Sequence, residues 1–403
     1  MSKVIFFNIP SQGHINPSLP VINELVRQGE TVICINTEQA RQQYTTTGAQ
    51  FVAYPTIADL EQINQLASSG NIPRNALTLV QIAEQLMPWL LELLEREKPD
   101  YIIFDSLCSW AKQAAVKAGI RAAASISTYV LRRDSLPPMT PAMLFDTLRS
   151  TIPCLPEYQR TARRMRKAYG IKGVGLFGAV MNTGVFNIVY TSKLFQPGGD
   201  KFDGQYCFVG PSIAARPASN EFPFEQITGS PVVYISLGTI NNTNVNFYHQ
   251  CFEAFGDQPG QFILSAGKQT DLKALGAIPT NFIVQNFVPQ LEVLQRSDLF
   301  ITHGGMNSVS EGLFYGVPQV VIPQQVEQAV TARQVVKLGA GVALGAMPPY
   351  GATSTVELRA AVQHVLSQRD VFTAAAEKIG DSFREGGGYV RAAEALIAFG
   401  RGS

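Results

Sequence analysis

Short apolar runs alternate with segments of helical periodicity, first in residues 1–210 and again after residue 231. Strands are predicted in the first series at Val4–Ile9, Thr31–Ile35, Gln50–Tyr54, Tyr101–Phe104 and Arg121–Ile126, and helices after Ile15, at Ala76–Arg96 and at Trp110–Ala118. Continuous apolar strands alternating with helices are typical of parallel sheets covered on both faces. The first half of the chain is therefore predicted to form a doubly wound α/β domain.

The second series begins after a stretch rich in Pro, Ser and Gly, residues 211–230, which is predicted to be an interdomain linker. Its strands are predicted at Val232–Ile235, near Phe262, and at Phe282–Val284, Leu299–Thr302, Gln319–Ile322 and Val342–Leu344, and its helices at Val245–Phe255, Asn307–Tyr315, Val326–Leu338 and Thr355–Ser367. The chain is thus expected to form two Rossmann-like domains, residues 1–210 and 231–387. In such sheets ligands bind at the carboxyl ends of the strands, and two facing domains would enclose a cleft.

Composition argues against several functional classes. The formal net charge of the 403 residues is +1, which gives no reason to expect a nucleic acid or an anionic membrane as partner. The five cysteines are odd in number and contain no CxxC pair, so neither a disulfide framework nor a structural zinc site is predicted. The N-terminus is interpreted as a buried strand, and no run of 18 apolar residues suggests a membrane span. We expect a cytoplasmic protein.

A glycine turn in the second half has the features of an anion site. A strand ends at Thr302, His303, Gly304 and Gly305 form a turn, and a helix follows. Glycines let the backbone approach a ligand closely, and a helix N-terminus offers N–H groups and the positive end of a dipole. This pattern suits a pyrophosphate, although a capped helix after a tight turn is the alternative. Side chains that could assist are those of His303, Asn307 and Ser308, with Glu311 one turn later suited to ribose hydroxyls.

The segments FVPQLEVL and THGGMNSVSEGLFYGVPQVVIPQQVEQ, which fall within residues 284–330, resemble the donor-binding signature of the UDP-glycosyltransferases of glycosyltransferase family 1. The similarity is strongest to the bacterial branch that glycosylates macrolides and flavonoids, and the N-terminal SQGHINPSLP matches the same family. The resemblance implies the GT-B fold, with an acceptor-binding domain at 1–210 and a nucleotide-sugar-binding domain at 231–387 that face each other across a cleft. It also implies that the C-terminal helix, within 388–403, returns to the first domain.

The resemblance assigns roles to individual residues of the second domain. Phe287 would stack on the uracil, the Val288 backbone would pair with its edge, and Gln290 and Glu311 would bind the ribose hydroxyls. His303, Gly305, Asn307 and Ser308 would hold the pyrophosphate, with Gly238 and Thr239 nearby, and Glu327 and Gln328 would bind the sugar. Plant members usually have Trp at the positions of Phe287 and Met306, and commonly Asp at that of Glu327, which leaves the preferred sugar open.

The reacting pair is predicted in the first domain. His14 follows the first strand on a loop and Asp105 follows the strand Tyr101–Phe104, so both belong to the carboxyl edge of the sheet. A histidine oriented by a carboxylate can take a proton from a hydroxyl, and the carboxylate stabilises the imidazolium that forms. The family uses a His–Asp dyad at the matching positions. Direct displacement of the nucleotide diphosphate would invert the anomeric centre.

No HExxH, HxxEH or DxD motif is present, so no metal or other cofactor is predicted. The predicted partners are a nucleotide sugar, most simply UDP-glucose, and a small apolar acceptor such as a flavonoid, phenol or macrolide. Segments 56–89 and 129–190 are candidate acceptor walls, and Ser127 and Thr128 are candidates to touch the donor sugar. A monomer or weak dimer is expected. The alternatives are a TDP-sugar-dependent antibiotic glycosyltransferase, a non-catalytic nucleotide-sugar-binding protein, an epimerase and a glycoside hydrolase.

Overall fold

The computed structural model describes the chain apart from residues 57–59, 61–62, 64–71, 131–140, 172–181, 215–221, 239–243, 349 and 403, and the side chains of 72, 141–144, 146–148 and 150. The chain divides into two compact units. The first unit comprises Met1–Ala214 together with Gly386–Ser403, and the second comprises Ala215–Glu385.

The first unit is built on a parallel sheet of seven strands. In chain order these are β1 (Lys3–Phe7), β2 (Thr31–Asn36), β3 (Gln50–Ala53), β4 (Tyr101–Asp105), β5 (Arg121–Ile126), β6 (Phe186–Val189) and β7 (Tyr206–Phe208). Their order across the sheet is β3-β2-β1-β4-β5-β6-β7, and every pairing is parallel. The chain therefore builds outward from β1 in one direction and then starts again on its other side with β4.

Helices cover this sheet: α1 (Gln12–Arg27), α2 (Arg41–Thr45), α3 (Ile72–Glu97), α4 (Ser109–Ala118), α5 (Pro141–Tyr169) and the C-terminal helix Gly388–Arg401. The C-terminal helix buries Ala392, Leu396 and Phe399 in the same core as Val4 and Phe6 of β1. Phe399 stacks on Phe186, with 5.5 Å between ring centroids. Burial of these apolar side chains stabilises the attachment of the last helix to the first unit.

Among the described residues, one helix, within Pro73–Glu97, is long and apolar enough by length and composition to cross a membrane, although no such span is predicted from the sequence. In the structure 56% of its apolar window is buried against the rest of the first unit. Leu86, Leu90 and Leu93 lie fully buried in the core beneath the sheet. Its apolar face therefore packs as that of a core helix.

The second unit is built on a parallel sheet of six strands: β8 (Val232–Ser236), β9 (Gln261–Ser265), β10 (Phe282–Gln285), β11 (Leu299–Thr302), β12 (Gln319–Val321) and β13 (Gly341–Ala343), in the order β10-β9-β8-β11-β12-β13. Its helices are α6 (Val245–Phe255), α7 (Gln290–Leu294), α8 (Met306–Phe314), α9 (Val326–Lys337), α10 (Thr355–Ser367) and α11 (Arg369–Glu385). The two sheets confirm the predicted α/β fold class, two Rossmann-like doubly wound parallel sheets.

Several elements differ from the prediction. Helix α1 begins at Gln12, so His14 lies in its first turn and not on the preceding loop. Helix α5 and strands β6 and β7 are not predicted. Two prolines, Pro153 and Pro156, lie inside α5. Proline removes a backbone hydrogen bond and normally marks the end of a helix, but α1 and α3 also contain prolines and are predicted, so the prolines alone do not explain the omission.

Candidate active site

The strand order of the first unit brings two distant parts of the chain together. The order reverses between β1 and β4, and in doubly wound sheets ligands bind at the carboxyl ends of the strands at this reversal. His14 lies just beyond β1, and Asp105 is the last residue of β4. Each strand is parallel to its neighbour, so both residues reach the same edge.

His14 and Asp105 are in direct contact. The imidazole Nδ1 lies 2.7 Å from Asp105 Oδ2, and the two side chains are 12% and 2% exposed. An ion pair or hydrogen bond between groups so well shielded from water is stronger than one at the surface. With Nδ1–H donated to the carboxylate, the other ring nitrogen, Nε2, is the one suited to accept a proton from a substrate.

Both oxygens of Asp105 are engaged. While Oδ2 meets the imidazole, Oδ1 accepts a hydrogen bond of 2.9 Å from the backbone N–H of Leu107. The N-cap residue of α4 is Cys108, so Asp105 does not cap that helix. Its carboxylate is held by a local turn with one oxygen directed at the histidine, the geometry that orients a base.

Two further residues of the first unit support His14 and were not assigned this role from the sequence. Ser127 Oγ lies 2.9 Å from His14 Nδ1, within hydrogen-bond distance of the imidazole. The side-chain amide of Asn8 donates to the backbone carbonyl of His14, at 3.2 Å, and to Ser18 Oγ, at 3.0 Å. Asn8 is the residue directly after β1, and a buried asparagine at a strand end is the signal that could have drawn attention to it.

The second unit repeats this arrangement with different residues. Its strand order reverses between β8 and β11, and Ser236 is paired with Thr302 at the ends of these strands. The turns that follow therefore lie side by side. A Cβ atom on Gly238, whose φ is +78°, would lie 2.7 Å from Nε2 of His303, and one on Gly305 would also meet that ring. Only glycine fits at these two positions beside the imidazole. Thr239 lies outside the described residues.

The His303 side chain is half-buried. Burial lowers the pKa of His303 to about 4, and the backbone carbonyl of Ser236 acts in the opposite direction. The imidazole is therefore neutral at neutral pH. Its Nδ1 is buried and has no hydrogen-bond partner among the residues that the structure describes. A buried polar nitrogen of this kind is a feature that a ligand oxygen would satisfy.

Helix α8 begins directly after this turn. Gly305 is its N-cap residue and provides no side-chain cap, and Asn307 and Ser308 follow in the first turn. The N-terminal N–H groups and the helix dipole favour an anion at this position. Glu311 is buried in the same helix and accepts a hydrogen bond of 2.5 Å from Gln290 Nε2. The structure thus brings together the two residues predicted to bind ribose.

The remaining predicted residues differ in their exposure. Phe287 is 55% exposed on the loop before α7, whereas its neighbour Val288 is buried in the core. Glu327 is exposed at the start of α9, and Gln328 is buried with its Oε1 accepting from the backbone N–H of Gln324 at 2.7 Å. A Cβ on Gly304 would lie 3.0 Å from the Gln328 backbone oxygen, so the start of α9 adjoins the glycine turn.

Other candidate chemistry is sparse in the described part of the chain. No group of three or more His, Cys, Asp or Glu side chains is placed there to hold a metal ion. All five cysteines are free, and His249 and His364 are exposed on helices of the second unit. The predicted acceptor walls lie partly outside the described residues, since 57–59, 61–62, 64–71, 131–140 and 172–181 belong to those segments.

Comparison with known proteins gives consistent matches along the whole chain. Residues 253–385 match the family model described as the C-terminal domain of erythromycin biosynthesis protein CIII-like proteins. The chain is 35% identical to the NDP-glycosyltransferase YjiC of Bacillus licheniformis and 33% identical to the uncharacterized UDP-glucosyltransferase YojK of Bacillus subtilis, and each alignment covers 98% of this chain and 97% of the relative.

The solved structure of the glycotransferase of kitacinnamycin superimposes with a TM-score of 0.83 at 30% identity, and covers 99% of this chain and 98% of that one. A second structure, the calicheamicin glycosyltransferase CalG4, shares the fold with a TM-score of 0.80. The overall identity to the Bacillus relatives, the family match and the two parallel sheets agree with the resemblance found in the donor-binding signature. The chain therefore belongs to the bacterial branch of glycosyltransferase family 1, has the GT-B fold and is a glycosyltransferase.

Proposed function

We propose that the enzyme transfers glucose from UDP-glucose to a hydroxyl of a small apolar acceptor, with inversion at the anomeric carbon. The observation that carries this proposal is the His14–Asp105 contact of 2.7 Å at the carboxyl edge of the first sheet. A non-catalytic nucleotide-sugar-binding protein would have no need of a buried carboxylate oriented on an imidazole. A glycoside hydrolase would use paired carboxylates, and the structure gives Asp105 a histidine as its partner.

In the proposed reaction, His14 Nε2 accepts the proton of the acceptor hydroxyl while Nδ1–H stays bonded to Asp105. The acceptor oxygen attacks the anomeric carbon, the bond between that carbon and the diphosphate oxygen breaks, and UDP leaves with the electron pair. Asp105 stabilises the imidazolium without taking the proton itself. Attack from the face opposite the leaving group converts an α-linked donor into a β-glycoside.

The donor is proposed to bind to the second unit. The pyrophosphate would be held by the N-terminus of α8, by Asn307 and Ser308, and by His303 in the tautomer that carries the ring hydrogen on Nδ1 and donates it to a phosphate oxygen. Gln290 and Glu311 together offer bonds to both ribose hydroxyls, which favours a ribonucleotide. The names of the Bacillus relatives, a UDP-glucosyltransferase and an NDP-glycosyltransferase, support the same class of donor.

The rest of the proposal concerns the base, the sugar and the setting. Phe287 would stack on the uracil, the Val288 backbone would pair with it, and Glu327 and Gln328 would bond the sugar hydroxyls. A helix dipole and neutral donors would stabilise the leaving diphosphate, so activity is proposed to need no metal ion. The acceptor would be a flavonoid, phenol or macrolide, and the protein would act in the cytoplasm as a monomer or weak dimer.

Two measurements test the proposal: release of UDP from UDP-glucose in the presence of a panel of phenols and macrolides, and calorimetric titration with UDP. His14→Ala should lower turnover by ~10²- to 10⁴-fold, the usual contribution of a general base, while calorimetric titration shows unchanged affinity for UDP. His249→Ala, which removes an exposed histidine of the second unit, should leave both quantities unchanged.

Normal turnover by His14→Ala would refute the assignment of the base. Loss of UDP binding in that variant would instead place His14 at the nucleotide. Titration with UDP and TDP separates the proposed donor from the alternative of a TDP-sugar-dependent antibiotic glycosyltransferase. A ribonucleotide site should bind UDP more tightly than TDP, because the deoxyribose of TDP lacks one of the two hydroxyls that Gln290 and Glu311 would bind.

A further inference from the structure

A chain of hydrogen bonds runs from the second sheet to the predicted ribose site. The Tyr234 hydroxyl donates to Gln290 Oε1 at 3.2 Å, and Gln290 Nε2 donates to Glu311 Oε2 at 2.5 Å. Tyr234 belongs to β8, Gln290 begins α7 and Glu311 lies in α8. Three separate elements therefore meet through one side-chain amide.

The carboxylate of Glu311 sets the donor-to-acceptor direction of these hydrogen bonds. A carboxylate only accepts hydrogen bonds, so the Gln290 amide must turn its NH₂ group towards Glu311. Its carbonyl oxygen then points the other way and needs a donor. The tyrosine hydroxyl supplies that donor, and reversal of the amide would set two acceptors against each other at Glu311 and leave the hydroxyl facing an NH₂ group.

Tyr234 is placed to act as a fixed support. It is 1% exposed, and its ring stacks on that of Phe300 with 4.9 Å between centroids and an interplanar angle of 11°. Both residues lie in neighbouring parallel strands, which leaves the ring little freedom to rotate. The hydroxyl therefore has a defined position from which to hold the amide.

We propose that Tyr234 is a positioning residue for nucleotide discrimination, which holds the Gln290 amide so that its N–H groups face Glu311 and the ribose 2′-hydroxyl. This inference rests on the proposed function, in which Gln290 and Glu311 bind the two hydroxyls of a ribonucleotide. Tyr234 itself touches no substrate. Its contribution is confined to the sugar of the nucleotide, because the glycine turn and the N-terminus of α8 bind the diphosphate independently.

Tyr234→Phe removes the hydroxyl and keeps the buried ring. We expect this variant to bind UDP about fivefold more weakly, the usual effect of one lost neutral hydrogen bond, and to bind 2′-deoxy-UDP almost as the wild type does. The dissociation constant for 2′-deoxy-UDP divided by that for UDP, both measured by calorimetry, should therefore be about fivefold smaller than in the wild type. In the UDP-glucose assay KM should rise while kcat changes little.

Tyr248→Phe is the matched control. Tyr248 is another fully buried tyrosine of the second unit, and its hydroxyl donates to the backbone carbonyl of Ala266 at 3.1 Å, away from Gln290. This variant should keep the wild-type ratio of the two dissociation constants. Melting temperatures of both variants show whether each is folded at the temperature of the titration.

A double-mutant cycle with Gln290→Ala completes the test. If Tyr234 acts through the amide, adding Tyr234→Phe to Gln290→Ala should cause no further loss of UDP affinity. The inference would be overturned if Tyr234→Phe weakened the binding of UDP and of 2′-deoxy-UDP equally, or if the losses of UDP affinity in the cycle were additive. The proposed donor site would still stand in that case, provided that the wild type binds UDP. A wild-type protein that binds no UDP would overturn the proposed function and this inference with it.

Discussion

His14 and Asp105 are 91 positions apart in the chain, and His14 Nδ1 lies 2.7 Å from Asp105 Oδ2. The contact follows from strand order, since His14 follows β1, Asp105 ends β4, and these two strands adjoin where the sheet reverses direction. The second sheet places Gly238 and His303 beside each other by the same rule. A parallel sheet thus brings residues that are far apart in the sequence together at the point where its strand order reverses.

Replacement of Asp105 tests what the carboxylate does for the imidazole. In Asp105→Asn the amide NH₂ group, if it faces His14, requires Nδ1 to be the unprotonated nitrogen, and Nε2 then carries the hydrogen and cannot act as base. We expect kcat/KM for UDP-glucose and a phenolic acceptor to fall by ~10²- to 10⁴-fold. The affinity for UDP, measured by calorimetry, should remain at the wild-type value.

Asp100→Asn provides the matched control, because Asp100 directly precedes the same strand at its amino end. Its Oδ2 accepts from the backbone N–H of Lys3 at 2.6 Å, a purely structural bond. This variant should keep wild-type kcat/KM even if its melting temperature falls. A similar loss of activity in both variants would show that the carboxylate at 105 acts on stability alone.

Ser127 is predicted to tune the same histidine. Its hydroxyl shares Nδ1 with Asp105, at 2.9 Å, so Ser127→Ala should leave the imidazole less firmly oriented. We expect kcat to fall by about 3- to 10-fold, the effect of one lost hydrogen bond, with KM for UDP-glucose unchanged. Steady-state kinetics with the donor varied separates kcat from KM.

Ser125→Ala is the control for this change, since Ser125 lies two residues earlier in β5 and bonds Tyr190 at 3.0 Å. Ser127→Thr, which restores a hydroxyl, should recover most of the lost kcat. The hypothesis drawn from the sequence, that Ser127 touches the donor sugar, predicts the opposite split. A raised KM for UDP-glucose with normal kcat would favour it.

The sequence predicts the fold class because apolar strands and helices alternate regularly in both halves. It also identifies the candidate dyad, because Asp105 ends one buried strand and His14 follows shortly after another. What it does not supply is the set of supporting residues. Ser127 lies 113 positions from His14 and contacts it only through tertiary packing, and no local pattern distinguishes such a serine from any other at a strand end.

The same limit applies to Tyr234. Its place in the continuous apolar run of β8 predicts only a buried strand position, and its bond to Gln290 joins residues 56 positions apart. Helix α5, which contains Pro153 and Pro156, is not predicted from the sequence. Packing against α3 holds its backbone helical in spite of them. Side-chain networks of this kind therefore require the three-dimensional structure.

Burial of His303 predicts a pH dependence of stability. Its pKa is about 4 in the folded protein, against 6.5 for an ordinary histidine. Between these values the unfolded chain binds a proton at this side chain that the folded chain does not. The free energy of unfolding should therefore fall as the pH drops below 6.5, by about 2 kcal/mol at pH 5 from this group alone, until the effect is complete near pH 4.

Urea unfolding of His303→Gln at pH 7.5 and pH 5 measures this contribution, because glutamine takes up no proton. The variant should lose less stability than the wild type between the two pH values. His249→Gln, which replaces an exposed histidine of the same unit, should retain the wild-type change. Parallel changes in wild type and His303→Gln would show that His303 is not the group responsible.

Gly238 tests the glycine turn directly. Its φ is +78°, and a Cβ there would lie 2.7 Å from His303 Nε2, so Gly238→Ala must displace the imidazole or the turn. If His303 helps to hold the diphosphate, UDP affinity should fall by about 10- to 100-fold, the effect of one lost hydrogen bond to a charged group.

Gly276→Ala separates this effect from backbone strain, because Gly276 also has a positive φ, +66°, with no atom within 4 Å of its Cβ position. Both variants should melt at lower temperature, since alanine is disfavoured at positive φ, but only Gly238→Ala should lose UDP in calorimetric titrations. Equal UDP affinities in the two variants would show that the ring of His303 takes no part in binding the diphosphate.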